Sequence, residues 1–219
     1  MSCMKKRYIG MAWPSDGLND SEYWKLLPKN YELLISRYKV SGSLTPTALK
    51  KEANLNHISK SIEKLNLTKL DIIILCDFAS SVLIKDYVTK SENYFSNKFN
   101  TPCINIVSST INFINKRKKN ISIISPYNKK ITSNFINLLP NKNNIKSVVN
   151  LSFSSELEIE NQYKNFDVLN INKKQSDLLF IGGGVSISHF IKNYEKKYSY
   201  KVYSSPLILI KDVLNRLKK

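Results

Sequence analysis

The chain has 219 residues, of which 42% are hydrophobic and 23% charged, enough for a substantial core and unlike a disordered or fibrous composition. Its 34 Lys and Arg against 17 Asp and Glu leave a formal net charge of +17, a field that attracts anions. The basic residues are scattered in short clusters (5–7, 116–119, 129–130, 173–174, 196–197, 216–219), however, with no zinc finger, basic helix or aromatic RNA-binding motif among them. Abundant Lys, Asn and Ile fit an A/T-biased coding sequence, so nucleic-acid binding is the weakest of the readings. No apolar run approaches the ~20 residues of a membrane span, and the opening MSCMKKRYIGMAWPSDG lacks the apolar stretch and cleavage site of a signal peptide. Three scattered cysteines make neither a disulfide framework nor a zinc site, so a reducing cytoplasm is expected.

Residues 7–13 (RYIGMAW) read as a first strand, stopped by Pro14 and the polar turn SDGLNDS; residues 31–40 read as a second. Thr45 as N-cap and Pro46 at the first helical position open one long helix to about Leu65, with Leu49, Ala53, Ile58 and Ile62 near helical spacing. The third strand covers 70–76, where an unbroken apolar run from Ile72 to Cys76 suits a strand buried on both faces. A helix follows within 84–99, then a strand at 102–107 (PCINIV) and a helix at 108–118. The fifth strand, 120–125 (NISIIS), is stopped by Pro126-Tyr127; a helix to Leu139 and a strand at 145–151 follow. Segment 152–176 is polar and weakly patterned, and is expected to hold one helix and to reshape one wall of a pocket. Strand 177–181 breaks into Gly182-Gly183-Gly184, before a helix to Tyr198, a short strand at 200–203 and a last helix from Pro206.

Alternating strands and helices predict βαβ units and parallel sheets. The motifs also repeat: strand one ends in Pro14-Ser15 and strand five in Pro126-Tyr127, while strand three ends at Cys76 and strand seven at the glycines. The expected fold is therefore α/β, with two pseudo-symmetric Rossmann-like lobes, each a parallel sheet flanked by helices, and an active site in the cleft between them. Residues 1–110, joined by a C-terminal helix at about 206–219, form one lobe, and residues 111–205 the other. Ligands of such sheets bind beyond the carboxyl ends of the strands, which puts Cys76 where chemistry is expected. A triple glycine between strand and helix serves equally as an anion-binding turn or as a tight turn needing positive backbone angles. His57 reads as solvated, His189 lies near the glycines, and neither has metal-ligand spacing. Cys103, at the start of a strand, reads as structural, and Cys3 as part of the terminus.

The ordered set IGMAWPSDGLNDSEYW, SGSLTP, the strand ending in Cys76, TPCINIVSS, ISIISPY, LLFIGGGVSI and VYSSP resembles the Asp/Glu racemase superfamily over nearly the whole chain. Within it, the maleate cis–trans isomerase and arylmalonate decarboxylase branch is most similar. The resemblance implies a cofactor-independent enzyme, without metal, acting on a small carboxylate or dicarboxylate through an enolate-like intermediate. Cys76 matches the first-lobe cysteine, Tyr127 the tyrosine that hydrogen-bonds the substrate, and Gly183 and Gly184 the backbone donors of the oxyanion pocket. Ser15 and Asp16 fall in the carboxylate-binding turn, with Ser15 preferred because an Asp would repel the substrate. Ser80 and Ser81 are candidate hydroxyl donors, and Ser204-Ser205 match a turn lining the pocket. A homodimer is compatible with the resemblance.

Two departures matter. Gly182 stands at the position of the second-lobe cysteine, so a two-thiol racemase is not expected. Asp77-Phe78 replaces the Thr or Ser donors of relatives, and an acidic neighbour should raise the Cys76 thiol. A lone thiol can still add to a double bond as thiolate, as in a maleate isomerase, which is the favoured expectation. It can also protonate a carbanion, as in an arylmalonate decarboxylase. A non-catalytic descendant binding an anion or a partner is the third alternative.

Overall fold

A strand with no polar face is stable only in the middle of a sheet covered on both sides. Three such strands, Ile72–Leu75, Ile121–Ser125 and Asp177–Phe180, are buried at every residue. In the computed structural model, which describes residues 6–65, 69–163, 176–188, 191–198 and 200–218, they are inner strands of two sheets. Numbered along the chain, the strands are β1 (Arg7–Pro14), β2 (Tyr31–Tyr38), β3 (Ile72–Leu75), β4 (Cys103–Asn105), β5 (Ile121–Ser125), β6 (Ile145–Asn150), β7 (Asp177–Phe180) and β8 (Val202–Ser204). One sheet runs β2-β1-β3-β4 and the other β6-β5-β7-β8, with every pairing parallel. Advancing each strand of the first order by four gives the second, so the repeat of strand one in five and three in seven is a repeat of geometry.

Ten helices of the described chain cover the sheets: α1 (Ser21–Leu26), α2 (Pro46–Glu52), α3 (Leu55–Glu63), α4 (Phe78–Leu83), α5 (Tyr87–Phe99), α6 (Ile106–Lys116), α7 (Lys129–Asn137), α8 (Glu156–Tyr163), α9 (Ile191–Tyr198) and α10 (Ser205–Leu217). Side-chain caps start several of them just beyond strand ends. Asp77 accepts the Ser80 N–H at 3.0 Å, Asn105 that of Val107 at 2.9 Å, Asn128 that of Ile131 at 3.0 Å and Ser204 that of Leu207 at 3.2 Å.

The expected helix from Thr45 to Leu65 is two helices. Asn54 caps the second by accepting the His57 N–H at 3.1 Å, so the chain breaks while the buried Ile58 and Ile62 keep a helical spacing. Helix α4, which the sequence reading did not contain, is wholly buried and too short to show a polar face. The strand expected over 102–107 ends at Asn105, whose cap turns the β-branched Ile106 and Val107 into the start of α6.

Helices α6 and α10, which follow the equivalent strands β4 and β8, pack on each other; α10 also meets α1, and α4 meets α7. One apolar core runs through both sheets, from Ile9 and Ile74 to Ile123 and Phe180. A smaller cluster on the other face of the first sheet holds Ile73, Phe95 and the buried Cys103. We propose residues 1–110 with the C-terminal helix as one lobe and 111–205 as the other; α10 packs on α1 and also on α6, which crosses the boundary. No described helix is long and apolar enough to cross a membrane.

Candidate active site

The carboxyl ends of the inner strands converge on one cavity. Trp13 and Asp16 come from the end of β1 and its loop, Cys76 and Asp77 from beyond β3, and Tyr127 from beyond β5. Gly183 and Gly184 follow β7, and Glu52 of α2 and Glu156 of α8 close the sides.

Cys76 is 2% exposed. Burial pushes its thiol well above the ordinary range; the neighbouring Asp77 carboxyl adds to the rise, and a hydrogen bond with Tyr23 opposes it. The sulfur is therefore a neutral S–H around pH 7. Asp77 is itself raised by burial, against which its bonds with Ser80 and the Tyr38 hydroxyl act. Phe78 supplies the apolar wall, its ring stacked on Tyr127 at 5.9 Å and tilted against Phe135 at 5.1 Å.

The loop after β1 and helix α1 hold the glycine turn in place. Tyr23, buried edge-on against Trp13, donates from its hydroxyl to the Gly183 carbonyl at 2.9 Å. Asn19 donates from Nδ2 to the Gly184 carbonyl at 2.9 Å. The fully buried Glu22 carboxylate accepts the N–H of Ser188 at 2.9 Å and the hydroxyls of Ser186 and Ser188 at 3.0 and 2.7 Å. Replacing Tyr23 by Phe should orphan the Gly183 carbonyl and the thiol together. About 1–2 kcal/mol of stability in denaturant unfolding should be lost, and Cys76 should alkylate more slowly near neutral pH, because the bond that favours its thiolate is gone.

The glycines are needed for closeness. A Cβ on Gly183 would stand 2.1 Å from the Cys76 carbonyl oxygen. Gly182 has φ of +132°, and a Cβ there would meet Val185 at 2.9 Å and the Tyr127 hydroxyl at 3.2 Å. The backbone at that position thus disfavours a second cysteine.

The walls are acidic. Four carboxyl groups, Asp16, Glu52, Asp77 and Glu156, line the cavity, and among the described residues that line it none is Lys, Arg or His. Arg37 lies nearby, but its guanidinium is bound to the Gly17 carbonyl and paired with Asp20. Burial pushes Glu156 up to about 8, with Asp16 and Asp77 adding to the rise, and Asp16 is raised by burial as well. A carboxyl that keeps its proton in the fold but loses it on unfolding makes stability fall as pH rises from the ordinary carboxylate range to about 8. Glu156→Gln should flatten that decline, giving about 2–3 kcal/mol over the parent near pH 8 in denaturant titrations.

Of the residues expected from sequence, Cys76, Tyr127, Gly183, Gly184 and Asp16 meet in this cavity. Ser15 does not: it is exposed, and its hydroxyl accepts the Val40 N–H at 3.1 Å. Ser80 is buried in α4, while Ser81 donates to the Asp77 carbonyl at 2.5 Å and lines a smaller cavity behind Cys76. Ser204 caps α10, and Ser205 is buried against the Thr110 hydroxyl at 3.1 Å, so neither faces the site. His57 is exposed on α3; His189 and Cys3 lie outside the described residues. Sequence reasoning missed Tyr23, Glu22, Glu52 and Glu156. Only Tyr23 and Glu22 had a local signal, inside the SEYW motif.

No protein-family model and no curated protein matches the sequence. Solved structures do. A cysteine-to-alanine variant of the maleate isomerase from Pseudomonas putida S16, with maleate, superposes with a TM-score of 0.76 at 16% identity, over 98% of this chain and 93% of that one. A cysteine-to-serine variant of the Nocardia farcinica maleate cis–trans isomerase, carrying a covalently bound succinylcysteine intermediate, gives 0.78 at 12% identity over 97% and 93%. A liganded double mutant of arylmalonate decarboxylase, with one glycine changed to cysteine and one cysteine to serine, gives 0.77 at 15% identity over 96% and 92%. These are the enzymes of the branch that the motifs resemble, and the chain has their two-sheet α/β fold.

Proposed function

We propose that this protein is a cofactor-independent enzyme that transfers a proton at the carbon next to the carboxylate of a small acid. Cys76 acts as the proton donor and the Gly183–Gly184 turn with Tyr127 stabilises the enediolate. The observation that carries this reading is the burial of a neutral Cys76 thiol at a strand end, in the cavity shared with Tyr127 and the glycines. An enediolate is far more basic than a thiolate, so even a thiol of raised pKa gives up its proton to it. Where the carbanion arises by loss of carbon dioxide, the C–C bond pair stays on the α-carbon, the S–H proton joins it, and the thiolate regains a proton from water. Donors fixed around the carboxylate oxygens lower the barrier to that intermediate.

The maleate isomerase-like reading, favoured from sequence, requires a thiolate that adds to a double bond. Burial and Asp77 both disfavour that form of Cys76. Protonation therefore stands ahead of addition here. A proton NMR screen in heavy water tests the choice, using maleate, aryl- and alkylmalonates, alanine, aspartate and glutamate. Deuterium appearing at an α-carbon in the wild type but not in Cys76→Ala supports proton transfer. Fumarate from maleate overturns it in favour of addition.

A further inference from the structure

Removing a proton from one face of a carbon and returning one to the other takes two groups, and the sequence offers a single suitable thiol. The cavity holds several other titratable groups, from every element around it: Asp16 after β1, Glu52 on α2, Asp77 after β3, Tyr127 after β5 and Glu156 on α8. Most are engaged or on the same lobe as the thiol. Asp77 caps α4 and accepts from Tyr38 at 3.3 Å. Glu52 accepts the Ser41 N–H at 2.6 Å and its hydroxyl at 2.5 Å. Asp16 stands on the Cys76 side of the cleft.

Glu156 differs on each count. It belongs to the second lobe, and its carboxyl makes no hydrogen bond or ion pair with the described residues. Ser155 and Glu158 do the capping at this end of α8: Ser155 accepts the Glu158 N–H at 3.3 Å, and Glu158 the Ser154 N–H at 2.6 Å. Glu156 is thereby left to point inward, where a Cβ on Gly184 would stand 2.7 Å from its Oε2. A Cβ on Gly183 would stand 2.1 Å from the Cys76 carbonyl. Two successive residues, ~3.8 Å apart at their α-carbons, thus touch the thiol's backbone on one side and the carboxyl on the other.

We propose that Glu156 is the second proton-transfer group of this site, a second-lobe carboxylate working with the first-lobe thiol of Cys76 in place of the cysteine absent at Gly182. The proposal rests on the reading of Cys76 as proton donor and extends it from decarboxylation to substrates that carry a C–H bond next to the carboxylate. The Glu156 carboxylate takes the α-proton, and the C–H pair moves into the enediolate held at the glycine turn. Cys76 delivers its S–H proton to the α-carbon and keeps the bonding pair as thiolate. Water then returns a proton to the sulfur and accepts one from Glu156, so nothing is oxidised or reduced and the substrate leaves with a solvent-derived hydrogen. Burial, Asp16 and Asp77, which push Glu156 up to about 8, make it a base matched to neutral pH.

The test needs no prior substrate. In protein labelled with carbon-13 at the glutamate carboxyls, one signal should titrate near pH 8 and be missing from Glu156→Gln. If every glutamate signal titrates below about pH 6, as ordinary carboxyls do, the proposal falls. On any acid from the heavy-water panel that exchanges its α-proton, Glu156→Gln should slow exchange at least about 100-fold. Glu156→Asp should recover part of the exchange. Wild-type exchange in Glu156→Gln overturns the role of Glu156 and leaves Cys76 standing; activity retained in Cys76→Ala overturns the donor reading, while the Glu156 titration still reports on its own.

Discussion

Cys76→Ala is expected to lower turnover by about 10²–10⁴-fold, the usual contribution of a positioned proton donor, while the protein stays folded. The structural cost is small because Cys76 packs as a small apolar group at the edge of the core, and alanine removes one sulfur without exposing a polar partner other than Tyr23. Tyr23 keeps its bond to the Gly183 carbonyl at 2.9 Å, so the turn should hold. Circular dichroism and denaturant unfolding should show loss of no more than about 1–2 kcal/mol. A variant that folds and still turns over at the parent's rate would remove Cys76 from the chemistry and leave the fold without its proposed function.

Gly183→Ala is expected to have the largest structural effect of any one-methyl change in the site. The added Cβ would lie 2.1 Å from a backbone oxygen, that of Cys76, which no side-chain rotation can relieve. The turn would have to move away from the first lobe, pulling the Gly183 carbonyl from Tyr23 and the Gly184 carbonyl from Asn19. We expect a loss of about 3 kcal/mol or more in unfolding experiments, with greater access of alkylating reagents to Cys76. Gly184→Ala is the matched control. Its Cβ would meet the flexible end of Glu156 at 2.7 Å, so the fold should survive while Glu156 shifts. Equal destabilisation by the two substitutions would show that close lobe contact at Gly183 is not what makes glycine necessary there.

Much of this was legible in the chain itself. The unbroken apolar run 72–75 marked its strand as central, because a two-sided environment leaves no polar alternation. Pro14 and Pro126, Cys76 and the triple glycine marked equivalent strand ends, so the doubled topology and the position of Cys76, Tyr127 and the glycine turn followed from order alone. The break at Asn54 and the start of α6 at Ile106 did not, since each depends on one side-chain cap overriding a helical period or a β-branched preference.

The serines show the limit most clearly. Ser15, Ser80, Ser81 and Ser204 stand beside site residues in sequence, yet their hydroxyls or backbones serve caps and turns, and Ser205 packs against the Thr110 hydroxyl, none of which adjacency can reveal. Glu156 is the converse: it sits in a polar stretch without periodicity, and only the packing of α8 against the glycine turn brings it to the cavity. The sequence by itself determined the order of the strands, the doubled sheet and the thiol, because burial pattern and turn residues are local properties. Tertiary structure alone decided the protonation state of that thiol, the acidity of the cavity and the carboxyl facing it, because desolvation and charge coupling depend on what distant segments place within a few ångströms.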